Sequence, residues 1–196
     1  TNGTTINTSA TGSETFWGAQ LEEGSYATSY IPTSGSTVTR NQDIFTRDGI
    51  GSLINSTEGV LFVEISTNTD ATDKVISIAD AVGTNRIWVG YSTAAKKIYS
   101  LGYVDGELQF AMNTTVADES VFAKVAVKYK QNDFALWVDG VEVATDSSGN
   151  TYAADTLNKL SFNIGQGGGA PFYGKVKQLQ VYDTALTDEQ LDALTS

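Results

Sequence analysis

Cysteine and histidine are both missing from this 196-residue chain. Without cysteine there are no thiolate zinc sites, cysteine nucleophiles or disulfide scaffolds, while the compartment stays open, because a chain this long buries roughly 70% of its unfolded surface and needs no cross-links. Without histidine the usual general base of a serine triad and the commonest transition-metal ligand are gone, so any enzyme would run on carboxylates, tyrosine or lysine. Positive charge is also scarce. Twelve Lys and Arg stand against 23 Asp and Glu, for a net charge of −11, which repels phosphate backbones and anionic lipid surfaces. Nucleic acid is therefore a poor partner and a neutral or mixed-polarity ligand a better one. No run of about 18 apolar residues exists to cross a membrane, and the N-terminus lacks a basic stretch followed by an apolar one. The expectation is a soluble chain whose export signal, if any, lies upstream.

What is present is alternation. The first 58 residues are rich in Thr, Ser, Asn and Gly, broken by two apolar runs, Phe16 to Leu21 and Tyr26 to Ile31. They read as an arm with one or two strands, the second ended by Pro32, which cannot donate to a ladder. From Gly59 the residues alternate with period two over Val60 to Ile65, Lys74 to Ala79, Arg86 to Tyr91, Lys97 to Val104, Leu108 to Met112, Val121 to Tyr129, Phe134 to Val138, Val141 to Thr145, Leu160 to Ile164 and Lys175 to Tyr182. Asp105-Gly106 and Asp139-Gly140 sit as two-residue links between such segments, the turn chemistry that tight hairpins require. About ten short strands with Gly-rich links predict an all-β, antiparallel two-sheet sandwich. Only the end looks helical: Thr187 caps, Asp188 and Glu189 fill the first turn, and Leu186, Leu191 and Leu194 are spaced to meet a core.

Period two also sorts side chains by face. Ile87, Val89 and Tyr91 share one face of their strand and should point inward, leaving Arg86 and Trp88 on the opposite, concave face. Tyr99, Leu101 and Tyr103 share a face of the next strand, and Gln109 and Asn113 oppose Leu108, Phe110 and Met112. Aromatics beside amides and a guanidinium suit sugar, which needs a flat apolar surface for C–H contacts and polar groups for hydroxyls. The bland reading of Trp88 is a tryptophan that packs the core. Trp137, on the face of Asp139, is a weaker candidate of the same kind. The loop from Gly165 to Pro171 is flanked by strands on both sides, unlike a phosphate cradle, which needs a following helix. It reads as a sandwich-end loop from which Gln166, Phe172 and Tyr173 could offer a rim contact. Asp70, Asp73 and Asp80 gather around the Lys74 to Ala79 strand. They are the one set that could take a metal, calcium, although their spacing is not that of a twelve-residue calcium loop and solvated acids are the simpler reading.

The stretch FALWVDGVEVAT from Phe134, followed by LSFNIGQGGGAPFYGKVKQLQVYDTALTDEQLDAL from Leu160, resembles laminin-G-like, concanavalin A-like domains. Their closing pattern is a strand ending in Asp-Gly, another ending in Ile-Gly, then Phe-x-Gly, a long last strand ending in Tyr-Asp, and Ala-Leu before an acidic helix. Asp139, Gly140, Ile164, Gly165, Phe172, Gly174, Val181, Tyr182, Asp183, Ala185, Leu186 and Glu189 match it. The resemblance implies a concanavalin A-like jelly roll over residues 43–196, after an arm over residues 1–42, and a carbohydrate-binding, adhesive role. Where many such domains carry an Asp near a structural calcium, this chain has Lys175 and Lys177, so the resemblance does not carry that calcium over.

A second stretch, FWGAQLEEGSYATSYIPTSGSTVTRNQD from Phe16, resembles the junctions of phage tail, virion and bacterial surface proteins. It implies a non-catalytic extracellular or virion-borne module that binds a host or environmental glycan. Two other readings stand beside it: a structural virion or filament subunit that forms homo-oligomers through its arm, and a glycoside-active enzyme. Against the enzyme, glucanases of this fold place Glu, Asp and Glu at alternate positions of one strand, and no Glu here is followed by Asp two residues on.

Overall fold

The computed structural model describes residues 21, 30–39, 45–68, 72–93 and 96–196. The chain divides into two compact units, Thr1–Asp43 and Ile44–Ser196. In the first, the strands expected over 16–21 and 26–31 fall outside the described residues apart from Leu21, Tyr30 and Ile31, which are not in strands.

The second unit is a sandwich of eleven strands: β1 (Thr46–Asp48), β2 (Glu58–Ser66), β3 (Lys74–Ala79), β4 (Arg86–Tyr91), β5 (Lys97–Val104), β6 (Glu107–Thr115), β7 (Ala123–Lys130), β8 (Phe134–Val138), β9 (Val141–Asp146), β10 (Lys159–Ser161) and β11 (Lys175–Tyr182), closed by helix α1 (Asp188–Thr195). The six-stranded sheet runs β1-β10-β3-β4-β5-β6 and the five-stranded sheet β11-β2-β7-β8-β9, antiparallel throughout. The two-residue links fold as expected, with Asp105, Gly106, Asp139 and Gly140 all at positive φ, so the strand twist continues through each turn.

Alternation sends Ile76, Ile78, Ile87, Val89, Tyr91, Phe110 and Met112 of one sheet against Leu61, Val63, Ile65, Val125, Val127 and Leu136 of the other. Each such side chain, fully removed from water, contributes about 1.5–3 kcal/mol. Tyr91 spans the core, and its hydroxyl donates to the Ile65 carbonyl at 3.0 Å, which satisfies the one polar atom that the ring brings inside.

A second apolar layer lies outside the five-stranded sheet. Val60, Phe62, Ala126, Ala135 and Trp137 pack beneath Leu191 of α1, with Leu186 and Leu194 at the margin. The helix starts at a capping box, where the Gln190 amide N–H donates to Thr187 Oγ1 and the Thr187 N–H to Gln190 Oε1.

Several strands differ from the sequence reading: β6 runs on to Thr115 rather than stopping at Met112, and β7 starts at Ala123 because Val121 and Phe122 are exposed. β10 stops at Ser161 rather than Ile164, because Asn163 Oδ1 accepts from the Gly165 N–H at 2.7 Å and the Ile164 N–H turns to the Gly169 carbonyl. β1 escaped notice because Thr46, Arg47 and Asp48 are exposed and carry no apolar alternation.

Candidate functional site

Register sets out the outer face of the six-stranded sheet in three rows. Asp48, Lys159, Ala79, Arg86, Tyr103 and Leu108 are successive cross-strand partners, as are Thr46, Ser161, Ser77, Trp88, Leu101 and Ala111, and then Val75, Gly90, Tyr99 and Asn113. Direct partners in an antiparallel ladder point the same way, so Arg86, Trp88, Tyr99, Tyr103 and Asn113 share one face, as expected. Leu108 joins them unexpectedly. A bulge at Gly102/Tyr103 shifts the register there, and one extra residue moves a side chain to the other face. Leu108 is thus exposed, apart from Phe110 and Met112.

The face is open on one side only. The Gly165 turn lies over β3: a Cβ on Gly165 would fall 2.8 Å from the Ala79 Cβ and 3.0 Å from Ser77 Oγ, and Val75, Ser77, Ala79 and Ser161 are fully buried. Over β5 and β6 the face emerges, with Tyr99, Leu101 and Tyr103 half-buried and Ala111 and Asn113 exposed. Trp88 and Arg86 lie at the boundary, each 8% exposed. The Trp88 ring leans on Tyr103, centroids 5.4 Å apart, and Arg86 Cζ stands 5.0 Å from the Trp88 ring and 4.3 Å from the Tyr103 ring. Trp88 is therefore no bare stacking platform. It backs a guanidinium–aromatic stack whose wet side is Tyr103.

Arg86 is held from one end. Its Nη1 donates to the Gly83 carbonyl, in a loop folded around the Asp80 carboxylate. That carboxylate accepts from the Gly83 N–H, from Thr84 Oγ1 at 2.9 Å and from both the backbone and side-chain amides of Asn85 at 3.2 and 3.0 Å. Burial would raise the Asp80 carboxyl pKa, but the hydrogen bonds from Asn85, Thr84 and Gly83 outweigh it and hold it below its ordinary value. Burial lowers the Arg86 pKa against the favourable fields of Tyr103, Tyr152 and Asp80. No Asp or Glu among the described residues makes an ion pair with Arg86. Four buried atoms of this face have no hydrogen-bond partner among the described residues: Arg86 Nε, Trp88 Nε1, Ser77 Oγ and Ser161 Oγ.

Other expected residues lie elsewhere. Trp137 is on the far side of the molecule, 7% exposed beneath α1, because the outer face of its sheet is covered by a helix; it does not join Trp88. Gln109 is bound at the sandwich edge, where its Oε1 accepts from the Asn150 N–H at 3.0 Å. Gln166 is exposed beside Gly83, near the Arg86 end of the face. Tyr173 is 46% exposed, and its carbonyl accepts from Thr67 Oγ1 at 2.9 Å.

Two of the three candidate calcium ligands, Asp73 and Asp80, are not brought together. Asp73 and Asp80 flank β3 at opposite ends, about 23 Å apart along an extended strand. Asp73 accepts from the Thr93 N–H at 2.6 Å, and burial with the Asp73 charge and hydrogen bond raises the Tyr99 phenol. Asp70 lies outside the described residues, and among those described no group of three acids could hold a metal.

Sequence reasoning missed Lys159, whose Nζ donates to the Gly165 carbonyl at 3.3 Å, and the serines Ser77 and Ser161. The alternation in β3 does set Ser77 apart from Ile76 and Ile78, but the pairing of β3 with β10 has no local signal. A surface depression of about 540 Å³ lined by Ser52, Asn55, Asp155 and Asp183 contains none of these residues.

Residues 60–192 match the family model described as the concanavalin A-like lectin/glucanases superfamily. Among curated proteins, none is similar in sequence. Solved structures are similar in fold. A leech intramolecular trans-sialidase, complexed with 2,7-anhydro-Neu5Ac, is 19% identical with a TM-score of 0.59, over 71% of this chain and 23% of that one. The native heptameric SAP-like pentraxin from Limulus polyphemus is 16% identical with a TM-score of 0.58, over 74% and 72%. Domain 4 of AbnA, a GH43 extracellular arabinanase from Geobacillus stearothermophilus, in complex with arabinotriose, is 12% identical with a TM-score of 0.57, over 80% and 82%. This chain thus spans under a quarter of the leech enzyme's length.

Proposed function

We propose that this chain, which belongs to the concanavalin A-like lectin/glucanases superfamily, is a non-catalytic carbohydrate-binding module that works outside the cell or on a virion. The observation that carries the reading is the strip over β5 and β6. Half-buried Tyr99, Leu101 and Tyr103 give an apolar surface, exposed Asn113 gives an amide, and Arg86 stands at its edge. Shallow apolar surface beside polar groups is what a sugar ring requires. The arabinotriose complex of the Geobacillus domain, similar in fold, supports the same ligand class.

Asp73 and Asp80, the two acids that flank β3, do not make a hydrolytic pair. Glycosidases hold two carboxyl groups roughly 5–9.5 Å apart, whereas Asp73 and Asp80 sit at opposite ends of β3 and are each engaged by backbone amides. With the resemblance of residues 16–43 to phage tail and bacterial surface junctions, the reading extends to an adhesin whose arm joins this module to the rest of a surface or virion protein.

A glycan array of wild type beside Tyr103→Ala and Asn113→Ala tests this. Both variants fold, because Asn113 is exposed and Tyr103 is only partly buried, and each weakens the wild-type signal by about tenfold, the equivalent of roughly 1.4 kcal/mol. Unchanged binding in both, or no wild-type signal on any glycan, overturns it.

A further inference from the structure

Arg86 has more donors than the described residues use. A guanidinium carries five N–H groups in a fixed fork, and the hydrogen bond to the Gly83 carbonyl occupies Nη1 alone. The edge formed by Nε and Nη2, the one that matches a carboxylate with two parallel hydrogen bonds, is left over among the described residues, and Nε has no partner among them although it is buried. Tyr103 and Trp88 hold the plane of the group from the side. Trp88 Nε1 and Ser77 Oγ, on cross-strand partners in the adjoining row, are likewise buried and unpartnered. A buried cation in such a setting is stabilised most by an anion.

We propose that Arg86 receives the carboxylate of an acidic sugar, a uronate or sialate, on its Nε–Nη2 edge. The proposal rests on the reading of this face as a glycan site and names its ligand class. Lys159, two strands away in the same row, adds a second positive charge. Asp80, Asp48 and Asp105 are the acids of this end, and Asp80 is the one already filled with donors.

The net charge of −11 narrows the class further. A long-range field of that sign opposes polyanions, so the ligand brings one carboxylate to the fork rather than a charged chain to a patch. The Gly-rich turn borders the Arg86 end of the face, where Gln166 lies over Gly83 while Gly167 and Gly168 have nothing within 4 Å of a Cβ.

The test is an array on which oligosaccharides with a single terminal uronate or sialate stand beside their carboxyl-reduced forms, with wild type and Arg86→Lys. Lysine keeps the charge and loses the fork. The acid form binds wild type at least about tenfold more tightly than its reduced partner, and Arg86→Lys brings the two together. Equal binding of both forms by wild type refutes the carboxylate and leaves the glycan reading standing; no binding of either refutes both. An Arg86→Lys protein that discriminates like wild type also refutes it. Should that variant fail to fold, the wild-type ratio decides, with the Arg86 Nε–H resonance as a second readout, one of only three such signals beside Arg40 and Arg47. It moves on adding the acid form and stays still with the reduced one, and a resonance unmoved by either refutes the proposal.

Discussion

Replacing Arg86 with methionine should leave the fold as stable as before, or more stable, which is unusual for a residue only 8% exposed. Three contributions set the balance. Desolvating an unpaired guanidinium costs several kcal/mol even after relaxation, and the Arg86 group has no carboxylate partner among the described residues. Against that, stacking on Tyr103 and Trp88 at 4.3 and 5.0 Å gives about 1–2 kcal/mol, and the hydrogen bond to Gly83 about 1.5–3 kcal/mol. Methionine fills much of the same space and keeps the contact with both rings. The sum lies near zero, so the expected change is within about 1 kcal/mol of wild type or a gain of similar size, or about 2–4 °C in Tm for a domain of this length. Urea unfolding measures it, with the slope unchanged and only the midpoint free to move. A loss above about 2 kcal/mol would show Arg86 to be a structural keystone and would refute the view that its donors are held for a ligand.

Asp80→Asn should destabilise the protein by about 1–2 kcal/mol, a charge-assisted value discounted because the group is only partly buried. Its folded pKa is depressed, so the contribution is fully present above the unfolded value of about 3.9 and is lost as pH falls through the lower folded value. The gap between wild type and variant in urea melts should therefore narrow as pH falls below the unfolded value, and a gap that stays constant there contradicts the assignment. Gly102→Ala should cost about 1–3 kcal/mol. A Cβ there would come 2.1 Å from Phe110 Cε1, and that ring cannot retreat from Phe134 at 4.7 Å; a thermal melt matching wild type would show the core to be softer than drawn.

The strands most legible in the sequence are those whose alternation is cleanest. β3, β4, β5, β8 and β11 start and end where the pattern does, and the Asp-Gly links and the Thr187 cap were readable because each turn or cap needs particular residues. Period two also placed Arg86 and Trp88 on the outward face of β4. It could not say what lies above that face. The burial of Trp88 depends on the Gly165 turn folding over Ser77 and Ala79, and that of Trp137 on α1 covering the other sheet; both are contacts between segments far apart in sequence. The bulge that exposes Leu108 breaks the alternation on which its inward assignment rested. The arrangement of donors around Arg86 depends in turn on β10 pairing with β3, which neither strand announces.

A titration of isotopically labelled wild type with a glycan that binds it, followed by NMR, puts the location of the site to the most direct test. The shifts should gather on Tyr99, Leu101, Tyr103, Ala111, Asn113 and Arg86, partners across β4, β5 and β6. Shifts confined to α1 and the Trp137 side would place the sugar on the wrong sheet and end the account given for this face.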